Sequence, residues 1–239
     1  MQEHEILLFQ RDLKLRLGLA YQSTNQLLEA IACFREAAEE DPESYQPVFQ
    51  LGVAFLSQGE WEAAFLSFTK AIRLGPAAAE SYNNLGVTYW MQASEEGPEE
   101  CFVKAISLQD GLPEAVGNLG IHYLLGGRFP EAVRCFELAI RGNEKAPCLS
   151  NLGVSFFSQG LLDEASRCFE RALALDETFA AGYGNLAVLF QKKGWLEEAR
   201  RTHAKAAQFS LGAVVPFKDF SLCPLVIEQA LPLKGKIFP

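Results

Sequence analysis

The feature that most constrains this chain is a repeat: Gly18, Gly52, Gly86, Gly120 and Gly153 fall at successive intervals of 34, 34, 34 and 33 residues. Three residues after each stands Tyr21, Phe55, Tyr89, Tyr123 or Phe156, and Leu51, Leu85, Leu119 and Leu152 immediately precede four of them. A second apolar set recurs in the same register: Ala30, Phe34 and Ala37; Ala64, Phe68 and Ala71; Ala132, Phe136 and Ala139; Ala165, Phe169 and Ala172. The last copy keeps Leu186, Ala187, Phe190, Ala199 and Ala206, with His203 where the others carry phenylalanine. Spacings of three and four residues set each group on one helical face, and Gly59, Gly127, Gly160 and Gly194 stand where one helix must stop and the next begin. Each copy therefore predicts a helix hairpin. A single hairpin cannot bury both of its faces, so the copies must stack.

This register predicts repeats at 11–44, 45–78, 79–112, 113–145, 146–179 and 180–213, with residues 1–213 forming one all-α solenoid of about six helix pairs. The third copy departs from the pattern: Ala93 replaces the inter-helix glycine and Gly97-Pro98 stands near the expected start of the second helix. Proline is best tolerated in a first turn, so that helix should begin late, near Pro98. Residues 214–239 break the period with Pro216, Pro224, Pro232 and Pro239 among apolar residues. They are expected to form a cap or tail, either a short helix from Pro224 to Leu231 lying on the last repeat or a segment that docks a partner.

Of the six cysteines, Cys33, Cys101, Cys135 and Cys168 follow the repeat spacing, which makes them packing residues rather than a disulfide framework. Cys148 and Cys223 have no neighbour at metal-ligand spacing, so no metal is expected. A formal charge of −9 repels phosphate backbones and anionic headgroups, which argues against nucleic acid and membrane surfaces as partners. No apolar run is long enough to span a bilayer, and Glu3 and Glu5 stand where a secretory signal would be basic, so a soluble, cytoplasmic protein is expected.

The chain carries no P-loop, H-E-x-x-H, nucleophile elbow or EF-hand pattern. Gly182, Gly184 and Ala187 match a dinucleotide fingerprint but lie inside a predicted helix with no strand before them. His4, His122 and His203 occupy unrelated repeat positions, which supports no histidine-assisted nucleophile. No cofactor and no catalytic residue are expected; the chain reads as a non-enzyme.

The combination of L-G-x-x-[YF] with A-x-x-x-F-x-x-A in a 34-residue period resembles the tetratricopeptide repeat over residues 11–213. The resemblance implies a right-handed superhelix whose first helices line a concave groove and whose second helices form a convex back. Position six of each first helix then projects into the groove, and it holds Asn84, Asn118, Asn151 and Asn185 in the last four copies. A primary amide offers both donors and an acceptor, so each could pair with the backbone of an extended peptide whatever its side chains. Adjacent helices lie about 8–10 Å apart and three extended residues span about 10 Å, so one asparagine per copy would grip every third peptide residue. Asn83, Leu124 and Phe157 lie alongside, and Trp90 with Met91 offers an anchor pocket. The row is similar to the asparagine-lined groove in the tetratricopeptide region of O-linked N-acetylglucosamine transferase, although nothing matches that enzyme's catalytic half. A two-carboxylate clamp would need basic first helices, where this chain has Leu15, Leu19, Phe49, Val53, Glu80 and Asn84. The expected function is a scaffold that binds an extended segment of another protein. The alternative is a structural subunit docked through its convex face and tail.

Overall fold

The structure, a computed structural model, describes residues 2–92, 94, 97–109, 112–142 and 144–210. The described residues form twelve α-helices and no strand, an all-α helical-repeat fold. The expected cap or tail at 214–239 lies outside them. The chain divides into two compact units, Met1–Leu112 and Pro113–Pro239.

The first unit contains α1 (Gln2–Ser23), α2 (Leu27–Glu40), α3 (Tyr45–Gln58), α4 (Trp61–Leu74), α5 (Ala79–Met91) and α6 (Pro98–Leu108). The second contains α7 (Pro113–Leu125), α8 (Phe129–Gly142), α9 (Ala146–Ser158), α10 (Leu162–Leu175), α11 (Ala180–Lys192) and α12 (Leu196–Phe209). Within each unit every odd-numbered helix packs on the even-numbered helix that follows it, and that second helix packs on the next first helix. First helices also meet directly, α3 with α5 in the first unit and α9 with α7 and α11 in the second.

The hairpins close on one recurring contact. Phe34, Phe68, Phe102, Phe136 and Phe169 are fully buried, each against the glycine of its own first helix. A β-carbon added at Gly18, Gly52, Gly86, Gly120 or Gly153 would lie 2.5–2.8 Å from that ring, inside van der Waals contact. The missing side chain lets the two helices approach closely enough to seal the ring from water, which is worth about 2–3 kcal/mol for a phenylalanine. Ala30, Ala37 and their counterparts border this position at no more than 9% exposure, where a larger side chain would force the helices apart.

The first helices end alike. At Gly59, φ is 83°, the Gly59 amide donates to the Leu56 carbonyl (3.2 Å) and the Glu60 amide to the Phe55 carbonyl (2.9 Å). This pairing satisfies carbonyls that the helix leaves over and needs a left-handed residue. In the first copy Asn25 takes that conformation, at φ 62°, with the same hydrogen bonds to Gln22 and Tyr21. In the third copy Ser94 still donates to the Tyr89 carbonyl (3.0 Å), Gly97 carries the positive φ, and α6 begins at Pro98 with 11 residues against 14 in α4.

Candidate functional site

The first helices carry the residues expected to bind. In the first unit, α5 buries one face through Ser81, Leu85 and Thr88. That turns Asn84, Trp90 and Met91 to partly exposed positions. Asn83 is buried and its Nδ2 donates to Asn84 Oδ1 (3.3 Å), which orients the Asn84 amide. The Trp90 ring packs on Phe102 with centroids 4.8 Å apart and planes tilted by 58°, so its position is set by the core.

In the second unit α7, α9 and α11 each place an asparagine at the same register position. Asn118, Asn151 and Asn185 are at most 1% exposed, so these amides form part of the wall between first helices. Asn185 Nδ2 donates to Ser150 Oγ (3.0 Å), a bond from α11 back to α9. The sequence expectation has all four amides projecting into a groove; the structure leaves Asn84 partly exposed and buries the other three. Leu124 is buried at the end of α7, and Phe157 is partly exposed at the end of α9. Periodicity fixes the angle at which a side chain leaves its helix. It does not reveal how closely the next first helix approaches.

A crevice of about 500 Å³ that the sequence reading did not anticipate lies on the side of the second helices in the second unit. Leu149, Leu152 and Phe156 of α9 form its floor, and Arg141, Arg167 and Arg171 stand with Glu137 and Glu164 on its walls. Arg167 pairs with Glu164 at 3.6 Å and Arg171 pairs with Glu144, so the charges are largely matched. Burial pushes the Cys168 thiol beside this crevice and the Cys101 thiol up to about 11, the ordinary consequence of removing an ionisable group from water. Among the described residues no group of three or more His, Cys, Asp and Glu side chains is placed to hold a metal ion. No described helix is long and apolar enough to cross a membrane.

Residues 7–213 match the family model of the cilia and flagella-associated protein 70 C-terminal domain. The chain belongs to this family. Its helical repeats are tetratricopeptide repeats, as the motif resemblance implied. No curated protein matches the chain by sequence. Among solved structures, the chain of this C-terminal-domain family is similar in fold to one in the APC/C hetero-tetramer Cut9-Hcn1, with TM-score 0.75 and 20% identity. That match covers 84% of this chain and only 40% of the Cut9-Hcn1 chain. It is likewise similar to pilF of Pseudomonas aeruginosa, with TM-score 0.73, 22% identity and coverage of 85% and 93%. A third similar structure is YrrB, described as a tetratricopeptide-repeat protein with an unusual peptide-binding site, with TM-score 0.60, 24% identity and coverage of 75% and 93%.

Proposed function

We propose that this chain is a non-catalytic scaffold whose first-helix faces bind an extended peptide segment of another protein. Tetratricopeptide-repeat proteins bind other proteins, and the similar fold of YrrB is described with a peptide-binding site. The observation that carries the reading is the cluster on α5. Asn84 presents an amide oriented by Asn83, Met91 lies about two helical turns further along the same face with Trp90 beside it, and all three reach solvent. An extended strand needs backbone partners and an apolar anchor, and this face offers both. In the second unit, the partly exposed Phe157 on α9 offers an apolar anchor of its own. In the second unit, Asn118, Asn151 and Asn185 act in this reading from within the wall of first helices, where Asn185 and Ser150 hold α11 against α9.

The test is affinity capture from extract with the intact chain beside two variants. One carries Asn84→Ala and Met91→Ala, which leave the core untouched. The other carries Asn84→Ala, Asn118→Ala, Asn151→Ala and Asn185→Ala. Far-UV circular dichroism establishes that each remains helical. Loss of the same specific partners from both variants supports the reading; retention by both defeats it.

A second reading is a structural subunit docked through its second helices. Leu66 on α4, Val103 on α6 and Leu138 on α8 are large apolar side chains left about half or more exposed. Substituting all three by Ser would release partners in this reading and leave them bound in the first.

A further inference from the structure

The helix α1 leaves an apolar stripe open, and one of its positions, that of Leu17, is buried in every later copy. Leu17 stands in register with Leu51, Leu85, Leu119, Leu152 and Leu186. Those five are 6–9% exposed and Leu17 is 46% exposed. Ala20 is exposed where Ala54, Thr88, Ser155 and Leu189 are buried. Four residues before Leu17 stands Leu13, 58% exposed, and four before that Phe9, 70% exposed. Residues at i, i+4 and i+8 form one ridge along a helix, so Phe9, Leu13 and Leu17 make a continuous seam.

The seam is not a plain copy of the later interfaces. Where Leu13 stands, other copies carry Pro47, Ser81, Ala115, Cys148 and Gly182, side chains small enough for the preceding second helix to sit close. In the second unit this closeness is visible at Gly182, where an added β-carbon would lie 3.0 Å from Leu173 Cδ2. Leucine and phenylalanine on α1 would hold such a helix away. A head-to-tail contact with another molecule is less well built: the register position that Ile140 and Leu173 fill against the next first helix in the second unit is the exposed Ala207 on α12.

The geometry points to a second copy of this chain as the occupant, paired antiparallel through α1 about a two-fold axis at Leu13. A two-fold contact uses the same patch twice, so the seam must complement itself. Reversing the helix about Leu13 sets Phe9 against Leu17 of the second copy, large against large, with Leu13 against its own equivalent. The charges agree. Asp12 and Arg16 are both exposed on the same flank of the seam. At 1.5 Å rise per residue, the reversal brings Arg16 to within about 3 Å along the axis of Asp12 in the second copy, twice by symmetry. Each copy carries a formal charge of −9, so long-range repulsion opposes the pairing and added salt strengthens it.

Sedimentation equilibrium of the intact chain at tens of micromolar tests this. The expected result is a reversible dimer that tightens with salt. Leu13→Glu makes it a monomer with an unchanged circular dichroism spectrum, because that side chain is mostly in solvent. Arg16→Asp weakens the dimer, and Arg16→Asp combined with Asp12→Arg restores it. A wild-type monomer throughout this range overturns the proposal. So does a dimer that Leu13→Glu leaves intact, and one lost only when residues 214–239 are removed places the contact on that segment instead.

Discussion

A methyl group on Gly153 would sit 2.5 Å from the edge of the Phe169 ring. Five copies share this pairing of a bare helix position with a fully buried ring, and the sixth alters both partners together, with Ala187 facing the register position of His203. The smaller imidazole makes room for the alanine methyl. Gly153→Ala is therefore expected to destabilise the protein. Overpacking costs about 1–3 kcal/mol, which exceeds the roughly 0.5–1 kcal/mol gained by replacing a helical glycine with alanine. Thermal or urea unfolding of the variant beside the wild type measures the balance. A rise in stability would mean that the ring yields without cost.

Much of the fold was legible because these contacts are local. Glycine and phenylalanine sixteen residues apart in one hairpin recur in register, and Gly59 marks the end of α3 by a chemistry that almost no other residue satisfies. Asn25 was less visible because its short polar side chain only tolerates the left-handed conformation that glycine adopts freely. The site was legible only in part. Asn84 and Asn185 occupy the same register position, yet Asn84 reaches solvent while Asn185 is sealed by the neighbouring first helix through Ser150. That difference is set by contacts between copies, and a repeat pattern makes the copies look alike. The open seam on α1 was hidden for the same reason: Leu17 reads as a core leucine in the register.

Ser81 stands on α5 where Ala115 stands on α7. Its hydroxyl oxygen is buried with no hydrogen-bond partner among the described residues. A hydroxyl in such a place has lost its water without replacement, a penalty of about 1–3 kcal/mol. Ser81→Ala keeps the helix, removes only the oxygen, and is expected to raise the unfolding midpoint. An unchanged or lowered midpoint in a denaturant titration would show that the hydroxyl is satisfied in solution.

The thiols of Cys101 and Cys168 titrate near 11, so at pH 8 both are overwhelmingly protonated in the folded chain. Only the thiolate attacks alkylating reagents, and the ordinary thiol pKa lies near 8.5. Both cysteines are expected to react at least tenfold more slowly than a free thiol at pH 8, and to gain reactivity on denaturation. Mass-spectrometric mapping of iodoacetamide labelling, native against denatured, reads each position. Fast native labelling of Cys101 would indicate that the α5–α6 hairpin opens readily.

Asn84 and Asn185 separate binding from folding. Removing the Asn185 amide takes away its bond to Ser150 and leaves a buried hydroxyl short of a partner, so Asn185→Ala is expected to cost about 1–3 kcal/mol of stability. The Ser150→Ala variant should lose a similar amount, and the double variant less than the sum, because both single changes break the same contact. Asn84→Ala, on a partly exposed side chain, should leave the unfolding midpoint within about 0.5 kcal/mol of wild type. A partner whose affinity falls with Asn84→Ala at unchanged stability therefore touches the first-helix face directly. If only Asn185→Ala reduces affinity, and does so in proportion to its loss of stability, the amides of the second unit serve to space the helices and not to hold a peptide.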